Sequence, residues 1–104
     1  MTAHHVRVMP AAARHLAAIE ARIALEANTA TAEAYVQAVL ERCFALDTFP
    51  HQGTARNDMR SGVRTFSFRR NVVIAYAVEG DEVAILAVAW RGQQLAGLLT
   101  EDDR

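Results

Sequence analysis

The sequence predicts an α+β fold. A two-helix antiparallel hairpin packs on one face of a mostly antiparallel, curved sheet, in the order β-α-α-β-β-β with a short C-terminal helix. Three observations predict it. From Val63 to Arg91 a run of apolar residues, interrupted by only two short polar breaks, reads as three consecutive antiparallel strands. Between Pro10 and Leu46 two stretches carry apolar residues at helical spacing and are joined by a very short connector. Ahead of them, Val6-Arg7-Val8-Met9 alternates and stops at Pro10. With 104 residues, 52% hydrophobic and 22% charged, the apolar material suffices for one core, and no linker divides the chain. Residues 1–104 are therefore read as one domain.

Each element has its own signal. Pro10 suits the first turn of a helix, and Ala12, Leu16, Ile19 and Ile23 recur on one side of the stretch that runs to about Asn28. Asn28-Thr29-Ala30-Thr31 is the connector, with Thr31 the expected N-cap and Glu33 placed to complement the helix dipole. In the second helix Tyr35, Val39, Cys43 and Leu46 form one stripe, and Val36, Leu40 and Phe44 lie beside it. So broad an apolar face is expected to be buried. Phe49-Pro50 ends this helix, since proline disfavours helical geometry in the residue before it. Pro50 to Gly62 reads as a polar loop.

The first sheet strand, Val63 to Arg69, alternates. Phe66 and Phe68 fall on one face with Arg64 and Arg70, and Thr65, Ser67 and Arg69 on the other. Val72 to Val78 is almost continuously apolar and β-branched, which calls for cover on both sides. Gly80-Asp81 is expected to make a two-residue hairpin turn, with glycine supplying positive φ at the first central position. In the returning strand, Ala84, Ala87 and Ala89 are small enough to admit another element closely. After Arg91-Gly92, residues 93–99 can form about two turns of helix. Glu101-Asp102-Asp103-Arg104 is an acidic, frayed end.

The formal net charge of −1 argues against a wholesale polyanion binder, but charge is unevenly spread. Between Pro50 and Val78 the charged residues are Arg56, Arg60, Arg64, Arg69 and Arg70 against Asp58 alone. All eleven Lys-plus-Arg positions are arginine. Genome composition accounts for the larger share of that bias, although arginine is also the better bidentate binder of phosphate and carboxylate. The single cysteine, Cys43, excludes an internal disulfide and fits a reducing compartment. No apolar run has the length of a membrane span, and Met1-Thr2-Ala3-His4-His5 has no hydrophobic signal region, so a cytoplasmic protein is expected.

The ordered set of local features resembles the RelE/ParE superfamily of bacterial type II toxins from about Val6 to Leu99. The features are Pro10-Ala11-Ala12 opening a helical hairpin, Phe49-Pro50 before a glycine-bearing loop, Asp58-Met59-Arg60-Ser61-Gly62-Val63-Arg64, and Arg69-Arg70-Asn71-Val72-Val73-Ile74-Ala75-Tyr76 followed by an acidic turn and Val83-Ala84-Ile85-Leu86-Ala87-Val88. The resemblance implies a toxin neutralised by a cognate antitoxin protein whose C-terminal segment wraps the toxin. It also implies one of two targets. ParE-like members block DNA gyrase, and RelE-like members are ribosome-dependent endoribonucleases that cut mRNA. Where many relatives carry a His or Tyr after the last strand, this chain has Trp90-Arg91-Gly92-Gln93-Gln94.

Cleaving RNA through its 2′-hydroxyl needs a base, an acid and cations for the phosphate. Arg60, Arg64, Arg69, Arg70 and Arg91 could converge on one sheet face to supply the cations. A base and an acid are hard to find. His51 follows the second helix, His15 lies on the first, and His4 and His5 are near the terminus, while arginine stays protonated. Some nucleases of the family nevertheless use mainly cationic side chains. The expectation is therefore a ParE-like toxin acting by binding, with no catalytic residue assigned. Its target-binding or phosphate-binding candidates are Arg60, Arg64, Arg69, Arg70, Trp90 and Arg91. The alternatives are the endoribonuclease and a degenerate toxin that only binds its antitoxin.

Plainer roles compete for the same residues. The arginines could form a solvated face or pair with Asp58, Glu79 and Glu82, and Trp90 could be a core residue. Tyr35 and Tyr76 read as packing residues with hydroxyls reaching polar partners, and Cys43 as a small buried hydrophobe. No cofactor is implied, and the histidines lack the spacing of metal ligands.

Overall fold

The computed structural model describes residues 4–100. Its elements are β1 (His5–Val8), α1 (Pro10–Glu26), α2 (Thr29–Phe44), β2 (Thr54–Ala55), β3 (Val63–Phe68), β4 (Val72–Glu79), β5 (Glu82–Trp90) and α3 (Leu95–Leu99), with a 3-10 turn at Ala45–Asp47. This is the predicted α+β order with one addition. The acidic stretch Glu101 to Arg104 lies outside the described residues. Among those residues no helix is long and apolar enough to cross a membrane.

The five strands form one sheet in the order β1-β5-β4-β3-β2. The long α1–α2 excursion allows β1 to lie parallel to β5, with Val6 opposite Val83, whereas every other pair is antiparallel. β2 is a correction to the expected polar loop. Thr54 and Ala55 pair with Thr65 and Arg64, because the loop doubles back along the edge of β3. A two-residue strand carries no periodicity for a sequence to display.

Helix boundaries follow local chemistry. Pro10 opens α1 as expected. The cap of α2 is Asn28, not Thr31: the Asn28 Oδ1 accepts the Thr31 amide at 2.7 Å, so the helix starts at Thr29. Asparagine is at least as good a cap as threonine, and the earlier candidate wins. The connector shrinks to two residues, holding α1 and α2 antiparallel.

Two apolar layers sandwich the sheet. On one side Leu16, Ile19, Ile23, Val39, Cys43 and Leu46 of the helical hairpin region meet Val72, Ile74, Tyr76, Val83, Ile85 and Val88. On the other, Leu95 and Leu99 of α3 pack with Val63, Ala75, Ala84, Leu86, Ala87 and Ala89. The cover required for β4 on both faces is thus present. The small-residue strip expected to admit a close neighbour admits α3.

Regular alternation would place Ala84 and Ala87 on opposite faces. A β-bulge resolves this: Tyr76 pairs with Ile85 and Ala75 with Ala87, leaving Leu86 as the extra residue, so all three alanines face α3. Gly80 turns the chain between the paired Glu79 and Glu82 with φ of +64°, as predicted.

Candidate interaction surfaces

The six residues singled out from sequence do not share one face. Arg64 has Phe66 and Phe68 as companions on the hairpin side of β3, but its guanidinium is spent on backbone. Its Nη1 donates to the Gly53 carbonyl at 2.7 Å and the His51 carbonyl at 3.0 Å. The same loop is held from inside, where the Gly53 amide donates to the Tyr76 hydroxyl at 2.9 Å. Tyr76 therefore has the polar partner expected for a buried phenol. Arg60 points the other way and donates to the Leu99 carbonyl at 3.2 Å, tying the loop before β3 to the end of α3. Of the carboxylates expected to pair with these arginines, Asp58 is bound by Arg56 through two hydrogen bonds of 3.0 Å, and Glu82 by Arg7.

The other four converge at the far end of the sheet, about 17 Å from Arg64 along the strand direction at 3.4 Å per residue. β3 ends at Phe68, and Arg69 and Arg70 are the central residues of the turn into β4. Arg69 therefore does not sit on the Thr65 and Ser67 face, because the chain has left the strand before reaching it. Both residues have positive φ, 49° and 61°, and the Asn71 amide donates to the Phe68 carbonyl at 3.1 Å. These are marks of a type I′ turn, which is normally occupied by Asn-Gly. Left-handed backbone costs an L-residue about 1–2 kcal/mol, and here two consecutive arginines adopt it.

An aromatic platform lies beneath. The Arg69 guanidinium sits over the Phe68 ring at 4.8 Å, and that of Arg91 over Trp90 at 4.7 Å. Tyr35 of α2 meets both rings edge-on, at 5.6 Å from Phe68 and 5.8 Å from Trp90. Trp90 is 7% exposed, so it serves the core and carries a cation on its rim.

Arg91 also donates from Nε to the Asn71 Oδ1 at 3.2 Å. The Tyr35 hydroxyl is shielded from solvent, and its polar neighbour is the Asn71 side chain, which stands near it without the geometry of a full hydrogen bond among the described residues. Burial pushes its pKa up, with Asn71, Arg69 and Arg91 nearby pulling it back, so the phenol stays neutral. Neither Tyr35 nor Asn71 was among the site candidates read from sequence. The helical stripe marked Tyr35 only as packing, and its meeting with two strand ends is a tertiary fact.

Next to Trp90 a recess of about 140 Å³ is lined by Arg14, His15, Arg22 and Gln93. His15 is engaged: its Nδ1 accepts the Val88 amide at 3.1 Å. That bond places the neutral ring's proton on Nε2, so neither nitrogen is a ready base. His51 sits at the opposite end of the sheet, in the loop held by Arg64. Cys43 is fully buried and its thiol is pushed up to about 12 by desolvation, which makes it a packing residue. Among the described residues no group of His, Cys, Asp and Glu could hold a metal.

The third surface is apolar. The stripe Val39, Cys43 and Leu46 is buried as predicted, but the neighbouring one is open. Val36 and Leu40 are half-buried and Phe44 is 47% exposed. With Val8, Leu16 and Ala17 they line an open groove of about 410 Å³ along the helical hairpin. The expectation that the whole face is buried fails, because two helices on a five-stranded sheet cover it with one stripe of α2 alone.

Known proteins agree with this architecture. A model of the ParE toxin of the type II toxin–antitoxin system parDE matches residues 6–95. Among solved structures, the chain is similar to one from the chromosomal ParDE toxin–antitoxin system of P. aeruginosa, with a TM-score of 0.74 and 26% identity over 84% of this chain and 95% of that one. It also shares its fold with a chain of the toxin–antitoxin complex RelBE2 from Mycobacterium tuberculosis, with a TM-score of 0.59 and 23% identity over 86% of this chain and 100% of that one. No curated protein sequence matches significantly.

Proposed function

Because the chain belongs to the ParE family of type II toxins, we propose that it arrests growth in the cytoplasm by binding DNA gyrase, and that a cognate antitoxin neutralises it. The observation that carries binding over cleavage is the company kept by the arginines at the β3–β4 tip. Around Arg69, Arg70 and Arg91 lie aromatic rings, an amide and a phenol held neutral by burial, while the adjacent His15 already uses Nδ1 for the Val88 amide. Such a set can grip a charged surface, but it offers no group poised to take a proton and return it near neutral pH. Target contact is assigned to Arg69, Arg70 and Arg91, with the buried Trp90 as the ring beneath Arg91. Arg60 and Arg64 serve by holding α3 and the 51–53 loop in place.

The open groove on the helical hairpin suits the apolar face of an antitoxin helix, which reads such grooves with residues at i, i+3, i+4 and i+7. The neighbouring structures come from toxin–antitoxin complexes, which supports a partner of that kind. A charge in the groove, as in Leu40→Glu, should weaken antitoxin protection while toxicity persists.

A supercoiling assay with gyrase, run beside a ribosome-primed mRNA cleavage assay on the same protein, tests the reading. Inhibited supercoiling with intact mRNA is expected. Cleaved mRNA with unaffected gyrase would transfer the function to the endoribonuclease class. Antitoxin-free expression without any growth defect would mean a degenerate toxin.

A further inference from the structure

Most arginines of the described chain, Arg14 aside, sort by partner. Arg7, Arg22 and Arg56 pair with Glu82, Glu26 and Asp58; Arg42 meets Gln52; Arg60 and Arg64 bind backbone carbonyls. Arg69, Arg70 and Arg91 are all exposed and, among the described residues, make no ion pair. Three cations without a carboxylate are thus gathered at one tip. Two are placed over rings that are braced by the same tyrosine. A guanidinium held over a ring keeps its charge and can still donate outward to an oxyanion, and for Arg91 the Nη groups remain for this, since its Nε binds Asn71.

The turn itself is strained for these residues, with φ of 49° at Arg69 and 61° at Arg70. An Asn-Gly pair would hold the same turn without that penalty. Strain held at such a place points to a use for the side chains it carries.

From these observations we infer that the β3–β4 tip is a receptor for carboxylates, and that its partner is a short acidic protein segment presenting two or three Asp or Glu side chains to Arg69, Arg70 and Arg91. The inference rests on the binding function proposed above and specifies the chemistry of the contacted surface. An acidic segment fits better than a nucleic acid strand on charge grounds. The chain's formal net charge is −1 and its pI about 6.4, unlike the strongly basic domains that track phosphate backbones. Tyr35 is a positioning residue. It touches no ligand, but it holds Phe68 and Trp90, and through them both stacked cations, in one arrangement.

The test uses Trp90, the sole tryptophan, as reporter. The full chain is titrated with deca-glutamate and, separately, with a ten-nucleotide single strand of matching charge, following Trp90 emission. Saturable binding of deca-glutamate, at least tenfold tighter than the oligonucleotide, is expected. Arg91→Gln and the double variant Arg69→Asn/Arg70→Gly should each weaken it at least tenfold.

The double variant separates the site from a structural role. Relaxing the turn should raise the melting temperature while binding is lost, an outcome that damage to the fold cannot produce. Tyr35→Phe keeps the ring and should bind deca-glutamate within about threefold of wild type, whereas Tyr35→Ala should lose binding. Tighter binding of the oligonucleotide, or deca-glutamate binding unchanged in both arginine variants, would overturn the inference. Deca-glutamate binding lost in these variants while gyrase inhibition stays complete would overturn the tip as the target contact and leave gyrase as the target. Wild-type protein that binds deca-glutamate but leaves gyrase untouched would refute the gyrase reading and keep the carboxylate receptor.

Discussion

Arg64 and Arg69 lie five residues apart on one strand and its turn, yet they belong to different working parts of the molecule. Arg64 bonds two backbone carbonyls of the 51–53 loop, and Arg60 does the same for the end of α3. Arg69 and Arg91 sit over aromatic rings with no carboxylate partner among the described residues, and Arg69 does so in a turn whose backbone is strained for arginine. The first group replaces hydrogen bonds the chain would otherwise make with water. The second keeps its charge available and gives up some backbone comfort to do so. Removing a stapling arginine should therefore lower stability, and removing a tip arginine should lower binding at little or no loss of stability.

The sharpest way to break the comparison is at the staple's inner side. A methyl group on Gly53 would lie 2.7 Å from the Tyr76 hydroxyl and 2.9 Å from the Thr65 carbonyl, one in the core and the other in β3 backbone. Gly53→Ala should destabilise by about 1–3 kcal/mol, the range for overpacking a filled site. Chemical denaturation measures it, and an unchanged midpoint would mean that the loop is not held tightly.

Arg64→Met leaves the His51 and Gly53 carbonyls without their donor. About 1–2 kcal/mol should be lost, the low side for bonds from a charged group because water can reach one of the two carbonyls. At about 4–8 °C per kcal/mol for a chain of this size, thermal melting resolves it easily. Arg60→Met removes one such bond and should lose about 1 kcal/mol. By contrast Arg91→Gln should stay within about 0.5 kcal/mol of wild type, as surface changes usually do. If Arg91→Gln proved as damaging as Arg64→Met, the division between staples and tip would be wrong.

The smallest effect is a pH dependence. Hydrogen bonding from Arg56 holds the Asp58 carboxyl below its ordinary range, and both side chains are solvent-exposed. A depressed carboxyl adds stability that is fully present above the unfolded value of about 3.9 and is lost as pH falls through the folded value. Asp58→Asn should therefore melt slightly below wild type near about pH 7 and coincide with it near about pH 2, with the gap at neutral pH shrinking in high salt.

Much of this was legible in the residues. The α1 stripe, the β4 run that needed cover on both sides, the Gly80 turn and the alanines awaiting a neighbour all describe what a segment requires of its immediate surroundings. Such requirements are written in periodicity and residue size. The site was less legible. Counting arginines between Pro50 and Val78 located a basic region but could not distinguish those that bind backbone from those that face solvent, because a guanidinium serves either purpose equally well.

By itself, then, the sequence determined the order of the main elements, the α+β class, most of the buried stripes and the family, since each follows from local pattern or from an ordered set of motifs. Only the tertiary structure decided that β1 joins β5 in parallel, that a bulge at Leu86 turns three alanines toward α3, and that Tyr35 meets Phe68 and Trp90 beneath two cations. The physical reason is the same in each case. These are contacts between residues far apart in the chain, selected by how whole layers pack, and no single segment carries a preference for them.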